Sequence, residues 1–239
     1  REAVKNPELP GGAIANREIH FLLLLDGSTS MTGEKVQSLN FAVADAIPEM
    51  RRAAAKNASA RVVVRALRFS TDVQWVLPNG ALSAEAPEPV PLTDFQWADY
   101  VRADGETAMG EAFSRLADEF EKLATRGRFF PPVIILVTDG YATDDFEAGL
   151  EKLMSNPLGK IATRLAIGVG NEVDMHCLEK FVGNPEFPPL HASDAYKLPE
   201  MIRWASVTAI ARSSRPSGPA TPPPLDQWIT WDDAKGKVS

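Results

Sequence analysis

The chain has 239 residues, 44% of them apolar, and a formal net charge of -7, with a pI near 5.1. A chain of this length buries one sizeable core, and its acidic balance argues against nucleic acid as the principal partner, because phosphate binding requires clustered Lys and Arg. A single cysteine, Cys177, excludes an internal disulfide framework, and no apolar segment is long enough to span a membrane. We therefore expect one α/β domain with tails, located in the cytoplasm.

The first candidate site follows a continuous apolar segment near the start of the chain. Residues 1–18 are rich in Pro and Gly and are expected to form an irregular leader. Residues 19–25 form an apolar run interrupted only by His20, which is typical of a parallel strand covered by helices on both faces. Asp26, Ser28 and Ser30 come directly after this strand. Because open α/β sheets bind ligands at the carboxyl ends of their strands, these side chains are candidate ligands.

The next part of the chain predicts a helix and a hairpin. Apolar residues recur at near-helical spacing over 34–56, and Pro48 inside this segment predicts a kink, or a break with the helix resuming. Segments 61–69 and 73–77 are predicted strands, and the short gap between them indicates a hairpin. The proline-rich segment 78–99 indicates a connection with room for a short edge element.

A second strand of the same kind follows in the middle of the chain. A glycine-bearing loop places Thr107 at the start of a helix predicted over 111–123. The apolar run that begins at Pro131 repeats the opening pattern and ends at Asp139 and Gly140. The sequence thus predicts two central strands, each ending in a carboxylate.

The last part of the domain continues the alternation of helices and strands. Asp144 and Asp145 are good N-caps for a helix that residues 157–159 end. The predicted elements that follow are a strand, a short helix, a final strand and a last helix, over 161–169, 173–182, 190–192 and 198–211.

From residue 213 to residue 239 the composition changes. Five prolines fall within residues 216–224, which indicates a linker, and an acidic segment with Trp228 and Trp231 follows. This end is either a disordered tail or a short docking segment whose two tryptophans contact a partner or the domain itself.

The predicted sheet edge collects oxygen side chains from three loops. Two carboxylates and three hydroxyls, without imidazole or thiolate, suit a hard cation with octahedral oxygen coordination, Mg²⁺ first and Mn²⁺ second. The alternative is that each side chain only caps a turn or satisfies a loop amide. The set consists of Asp26, Ser28, Ser30, Thr107 and Asp139.

Taken together, these motifs resemble the metal-ion-dependent adhesion site (MIDAS) of the von Willebrand factor A (VWA) domain. Residues 26–30 match that family's D-x-S-x-S, Thr107 matches its threonine loop, and residues 138–140 match its T/S-D-G. The resemblance covers residues 19–212. It implies a doubly wound, Rossmann-like, mostly parallel sheet flanked by helices, with one antiparallel edge strand.

The resemblance also implies a role for each residue. Ser28, Ser30 and Thr107 would bind the metal directly, and Asp26 and Asp139 would be direct or outer-shell ligands. Neutral inner ligands leave the cation electrophilic, so an open sixth position would attract a carboxylate from another protein. The expected function is a metal-dependent protein–protein interaction module.

Within the family, segments 24–31, 33–36, 107–112 and 136–145 look most like the bacterial TerY-like proteins associated with tellurium resistance and stress response. This likeness implies a scaffold or adaptor in a bacterial stress-response or kinase/phosphatase signalling system. Ser/Thr kinases and PP2C-type phosphatases are the implied partners.

Two positions depart from the family pattern. Thr29 stands where the family usually has Gly, so a left-handed backbone there would be strained. Glu106 adds a carboxylate beside Thr107, which would either help to hold the metal or occupy the position of a partner's carboxylate.

An enzyme is the competing hypothesis, because an Asp beside Mg²⁺ at a strand end also describes phosphohydrolases and phosphotransferases that use an aspartyl nucleophile. Asp26 would be that nucleophile. Such enzymes need an acid/base two residues later, where Ser28 stands, and a charge-balancing lysine, which is missing at an obvious strand end. We therefore expect no enzymatic activity, and we expect the histidines to be structural or at the surface: His20, His176 and His191.

Overall fold

A computed structural model describes residues 17–56, 60–127 and 129–213. Within them the chain forms one eight-stranded sheet in the order β4-β3-β2-β1-β6-β7-β8, with β5 paired beside β2. The strands are β1 (Arg17–Asp26), β2 (Ala60–Phe69), β3 (Val73–Val76), β4 (Leu82–Ser83), β5 (Val90–Pro91), β6 (Val133–Thr138), β7 (Thr163–Val169) and β8 (Leu190–Ala192).

Helices cover both faces of this sheet. They are α1 (Glu34–Ala55), α2 (Met109–Ala124), α3 (Phe146–Ser155), α4 (Pro157–Ile161), α5 (Met175–Val182) and α6 (Leu198–Ser213), with 3-10 turns at Thr29–Met31 and Ala195–Lys197. None of the described helices combines the length and apolar character needed to cross a bilayer.

The central strand β1 is buried on both faces, which explains the run of apolar residues from Phe21 to Leu25. Phe21 and Leu23 belong to the core cluster that includes α1 and α6, whereas Leu22 and Leu24 belong to the cluster that includes α2, α3 and α5. Alternate side chains of a strand point to opposite faces, so both faces of β1 need apolar residues.

The parallel register aligns the carboxyl ends of three strands. Asp26 of β1 pairs with Phe69 of β2, and Leu25 pairs with Val137 of β6. The chain segments that follow Asp26, Phe69 and Thr138 therefore leave the sheet at the same edge. This edge carries the candidate site.

The predicted mostly parallel sheet with an antiparallel edge is confirmed. β1, β2, β6, β7 and β8 pair in parallel, while β3, β4 and β5 pair antiparallel on the β2 side. The predicted hairpin of β2 and β3 is also confirmed.

Several boundaries differ from the prediction. β1 begins at Arg17, so the last two residues of the predicted leader belong to the sheet. α1 continues through Pro48 without a break, and Pro48 lies on its exposed face. α3 ends at Ser155, as predicted, because Asn156 is extended directly before Pro157. Pro157 also begins α4, since proline is favoured at the first helical position, and β7 therefore starts at Thr163.

Candidate metal centre

The loop after β1 is held by hydrogen bonds within itself and to the loop before α2. The Ser28 N–H donates to Asp26 Oδ1 at 2.7 Å. The Thr29 N–H and hydroxyl both donate to the Gly105 carbonyl, at 3.0 and 2.9 Å. Thr29 begins a 3-10 turn, a right-handed conformation open to β-branched residues, so the strain expected for a left-handed Thr29 does not arise. Gly33, with φ of 81°, takes the left-handed position instead.

Three of the candidate ligands form a continuous chain of oxygen atoms. Ser28 Oγ and Ser30 Oγ lie 2.9 Å apart, and Ser30 Oγ donates to Asp139 Oδ1 at 2.6 Å. A methyl group placed on Gly140 would lie 3.7 Å from Ser30 Oγ and 3.8 Å from Thr107 Oγ1. The hydroxyl of Thr107 therefore faces the same small space as that of Ser30.

Asp26 forms the buried base of the site. Its side chain is fully buried, and its Oδ2 accepts a 2.5 Å hydrogen bond from Thr138 Oγ1. Burial raises the pKa of Asp26, and the neighbouring Asp139 adds to this effect, while the hydrogen bonds from Ser28 and Thr138 oppose it. A divalent cation nearby would favour the ionised carboxylate, since an opposite charge lowers a carboxyl pKa.

The loop that carries Thr107 is fixed by the segment after β6. The Thr107 N–H donates to Thr143 Oγ1 at 3.0 Å. Asp144 accepts from the N–H groups of Gly110 and Glu111, at 2.9 and 2.7 Å, and so caps the start of α2. Asp145 alone caps α3, through the Ala148 N–H. The expectation that either aspartate caps α3 is therefore correct only for Asp145.

The site opens into a cleft of about 570 Å³ at the carboxyl edge of the sheet. Sequence reasoning missed the outer part of this cleft, which comes from the loops after β6 and β7. Tyr141 is 61% exposed, and Asn171 and Glu172 are also exposed. The cleft is lined by Ser30, Thr107, Asp139, Gly140, Tyr141, Asn171 and Glu172.

Lys35 is a further residue of the site that the sequence did not indicate. Its Nζ lies 2.5 Å from Asp139 Oδ2 and 3.3 Å from the Ser30 carbonyl oxygen. The lysine missing at an obvious strand end is thus supplied by the first turn of α1. Lys35 comes five residues after Ser30, and the first turn of α1 brings it back to the end of β1. No periodicity in the sequence reveals this contact.

The remaining predicted residues lie elsewhere. Glu106 is exposed beside Thr107, and its N–H donates to Thr71 Oγ1 at 3.0 Å. Trp228 and Trp231 fall outside the described residues. Of the histidines expected to be structural or at the surface, His20 is buried in β1, whereas the other two are exposed: His176 and His191.

The donor set fits a hard divalent cation. Oxygen atoms on adjacent corners of an octahedral Mg²⁺ shell lie about 3.0 Å apart, since each metal–oxygen distance is about 2.1 Å. The separations of 2.9 Å between the serine hydroxyls and 2.6 Å from Ser30 to Asp139 are close to this spacing. Among the described residues no group of three or more His, Cys, Asp or Glu side chains could hold a metal, so a cation at this edge would need the hydroxyls as ligands.

A parallel sheet with hydroxyl and carboxylate loops at its carboxyl edge defines a ligand-binding α/β domain of the doubly wound class. The sequence profile of the von Willebrand factor type A domain matches residues 21–203, which is most of the chain. The chain belongs to this family, as the motifs predicted. No curated protein sequence matches it.

Solved structures share the fold at low sequence identity. The von Willebrand factor type A protein from Catenulispora acidiphila is 19% identical with a TM-score of 0.59, over 83% of this chain and 43% of that chain. The ArnB paralog VWA2 from Sulfolobus acidocaldarius is 18% identical with a TM-score of 0.53, over 77% and 44%. Proximal thread matrix protein 1 from the mussel byssus, with a zinc-occupied MIDAS motif, is 16% identical with a TM-score of 0.52, over 82% and 46%. This chain spans less than half the length of each.

Proposed function

We propose that this domain binds a protein partner through a divalent cation at the carboxyl edge of its sheet. The observation that carries the proposal is the chain of Ser28, Ser30 and Asp139 oxygens, spaced as in a metal shell and open to a cleft. The zinc in the MIDAS motif of the mussel protein supports a divalent cation. Mg²⁺ is our first choice and Mn²⁺ the second, because hydroxyl and carboxylate oxygens suit hard cations.

Some residues of this site would bind the cation, and others would orient its ligands. Ser28, Ser30 and Thr107 would be direct ligands, with Asp26 and Asp139 as direct or outer-shell ligands. The two oxygens of Asp26 are already engaged by the Ser28 N–H and the Thr138 hydroxyl, which fixes the loop for binding. Three neutral ligands leave part of the cation's charge uncompensated, and a carboxylate of the partner would supply the rest.

The burial of Asp26 supports a binding module over the phosphohydrolase alternative. An aspartyl nucleophile must reach the phosphorus atom, but Asp26 is fully buried, and Ser28 stands where the acid/base would be. Lys35 offers the charge balance that such an enzyme needs, yet it is bound to Asp139 and not to Asp26. We therefore propose that the domain is not an enzyme.

We extend the proposal to the cellular role of the domain, on the basis of its sequence resemblance to other proteins. The motifs look most like those of TerY-like proteins, so we propose a cytoplasmic scaffold or adaptor in bacterial stress response or tellurium resistance. Ser/Thr kinases and PP2C-type phosphatases are the proposed partners. Glu106, exposed beside the site, and the tail residues Trp228 and Trp231 are proposed as additional partner contacts.

The test is partner affinity with and without the cation. A partner is captured from the native host on the immobilised chain, identified, purified and titrated in Mg²⁺ and in EDTA. We expect binding in Mg²⁺ that EDTA and Thr107→Val both weaken at least tenfold, with unchanged circular dichroism. Equal affinities in Mg²⁺ and EDTA would contradict the proposal. Turnover of p-nitrophenyl phosphate in Mg²⁺ that Asp26→Asn abolishes would favour the enzyme instead.

A further inference from the structure

The carboxylate of Asp139 is buried, yet it has a charged partner of its own. Its side chain has no exposed surface, and Lys35 Nζ lies 2.5 Å from its Oδ2. A buried carboxylate without a counter-charge is costly, because desolvation penalises the ionised form. Lys35 supplies that counter-charge from a side chain that is 31% exposed. The ammonium group therefore neutralises the charge of this buried carboxylate.

The same contact places Lys35 in competition with a cation. Ser30 Oγ already donates to Asp139 Oδ1, so Oδ2 is the oxygen left for a further partner, and Lys35 holds it. Lys35 Nζ also lies 3.3 Å from the Ser30 carbonyl, on the residue whose hydroxyl would bind the cation. Because like charges repel strongly at such distances in a partly buried site, the ammonium and a divalent cation disfavour each other.

A second carboxylate lies on the loop that Lys35 contacts. A methyl group on Gly170 would lie 3.4 Å from Lys35 Cε and 3.5 Å from its Nζ, so the end of the lysine rests against the loop after β7. Glu172, two residues later in that loop, is exposed and lines the same cleft as Asp139. A lysine side chain has the length and flexibility to move between two such acceptors.

We propose that Lys35 is a built-in competitor that sets the cation affinity of this site: it holds Asp139 in the cation-free domain and moves to Glu172 when a cation binds. The inference deepens the proposed function and rests on it. It makes the cation-free site stable and its occupancy dependent on cation concentration. It also links the site to the loop after β7, which forms part of the rim that a partner would meet.

Lys35→Met tests the proposal, because methionine keeps most of the apolar length and removes the charge. With Mn²⁺ alone as the probe in isothermal titration calorimetry, we expect Lys35→Met to bind at least tenfold more tightly than the wild type, or about 1.4 kcal/mol. The cation-free variant should unfold at a lower temperature than the wild type, since Asp139 loses its counter-charge. Lys160→Met, an exposed charge removal before β7, is the matched control and should change neither quantity.

Glu172→Gln tests whether Lys35 moves to Glu172 when a cation binds. This change should weaken Mn²⁺ binding about threefold or more in the wild-type background but have no effect in the Lys35→Met background. If Lys35→Met folds poorly, Lys35→Gln keeps a hydrogen-bond donor and gives the same comparison.

The outcomes separate this inference from the proposed function. Equal or weaker Mn²⁺ binding by both Lys35 variants, with clear binding by the wild type, overturns the competitor role and leaves the metal site standing. A loss of affinity from Glu172→Gln that persists without Lys35 overturns the exchange between carboxylates. Absence of Mn²⁺ and Mg²⁺ binding by the wild type and by the Lys35 variants overturns both proposals.

Discussion

The buried histidine of β1 predicts a loss of stability in mild acid. His20 is 2% exposed, and its ring packs edge-on against Phe129 with the ring centroids 4.7 Å apart. Burial is the main cause that lowers the pKa of His20 from 6.5 to about 4, and the positive charges of Arg65 and Arg126 contribute to the same shift. Glu18 Oε2 lies 3.4 Å from His20 Nε2, but at neutral pH the imidazole is uncharged, so this contact is not an ion pair.

The sign and size of the stability loss follow from the linkage between folding and proton binding at His20. The unfolded chain binds a proton at His20 near pH 6.5, whereas the folded chain resists it until about pH 4. The stability from the neutral ring is therefore fully present above pH 6.5 and is lost as pH falls toward 4. Linkage gives a loss of about 2 kcal/mol between roughly pH 7 and pH 5, and about 3 kcal/mol at roughly pH 4.

The variant His20→Leu isolates this contribution, since leucine is apolar and does not titrate. Urea unfolding followed by circular dichroism at several pH values should show that the variant loses about 2 kcal/mol less than the wild type by roughly pH 5. His176→Gln, which removes an exposed histidine, should follow the wild-type curve. Identical pH dependence for the wild type and His20→Leu would refute the reasoning.

Two further predictions concern packing inside the domain. Glu119→Leu should cost about 3–5 kcal/mol in urea unfolding, because it leaves Arg65 buried without the ion-pair partner that lies 2.5 Å away. The double variant Arg65→Met/Glu119→Leu should recover most of this stability. A double variant as unstable as the single one would contradict this explanation. Gly149→Ala should cost about 1–3 kcal/mol in the same assay, because the added methyl group would lie 2.1 Å from the Gly110 carbonyl oxygen, where α3 meets α2. The control Ala148→Ser, at an exposed position, should change the stability by no more than about 0.5 kcal/mol. Equal effects of the two changes would refute the close-contact explanation.

The sequence was most informative where burial dictates composition. The apolar run before Asp26 predicted a central strand because both faces of β1 are covered, and the run before Asp139 predicted its neighbour β6 for the same reason. Parallel pairing of two such strands necessarily brings their carboxyl ends together. The juxtaposition of the first and third loops was therefore predictable, even though their distances were not.

Features that depend on how helices meet were not predictable. Asp144 has the chemistry of an N-cap, but it caps α2, not α3, because those helices pack closely at Gly110 and Gly149. Lys35 contacts Asp139 only because of the direction in which α1 leaves Gly33. Periodicity in the sequence shows which residues share a face of a helix, but tertiary packing sets how that face is oriented.

The direct test of the metal centre is a Mn²⁺ titration of the wild type and of Thr107→Val, with the free ion followed by electron paramagnetic resonance. Valine has nearly the shape of threonine but lacks the hydroxyl, so the loop should keep its path while the site loses a ligand. We expect saturable binding of a single Mn²⁺ by the wild type, competition by Mg²⁺, and at least tenfold weaker binding by Thr107→Val with unchanged circular dichroism. No saturable binding by the wild type at millimolar Mn²⁺, or equal affinity in Thr107→Val, would contradict a cation held by these loops.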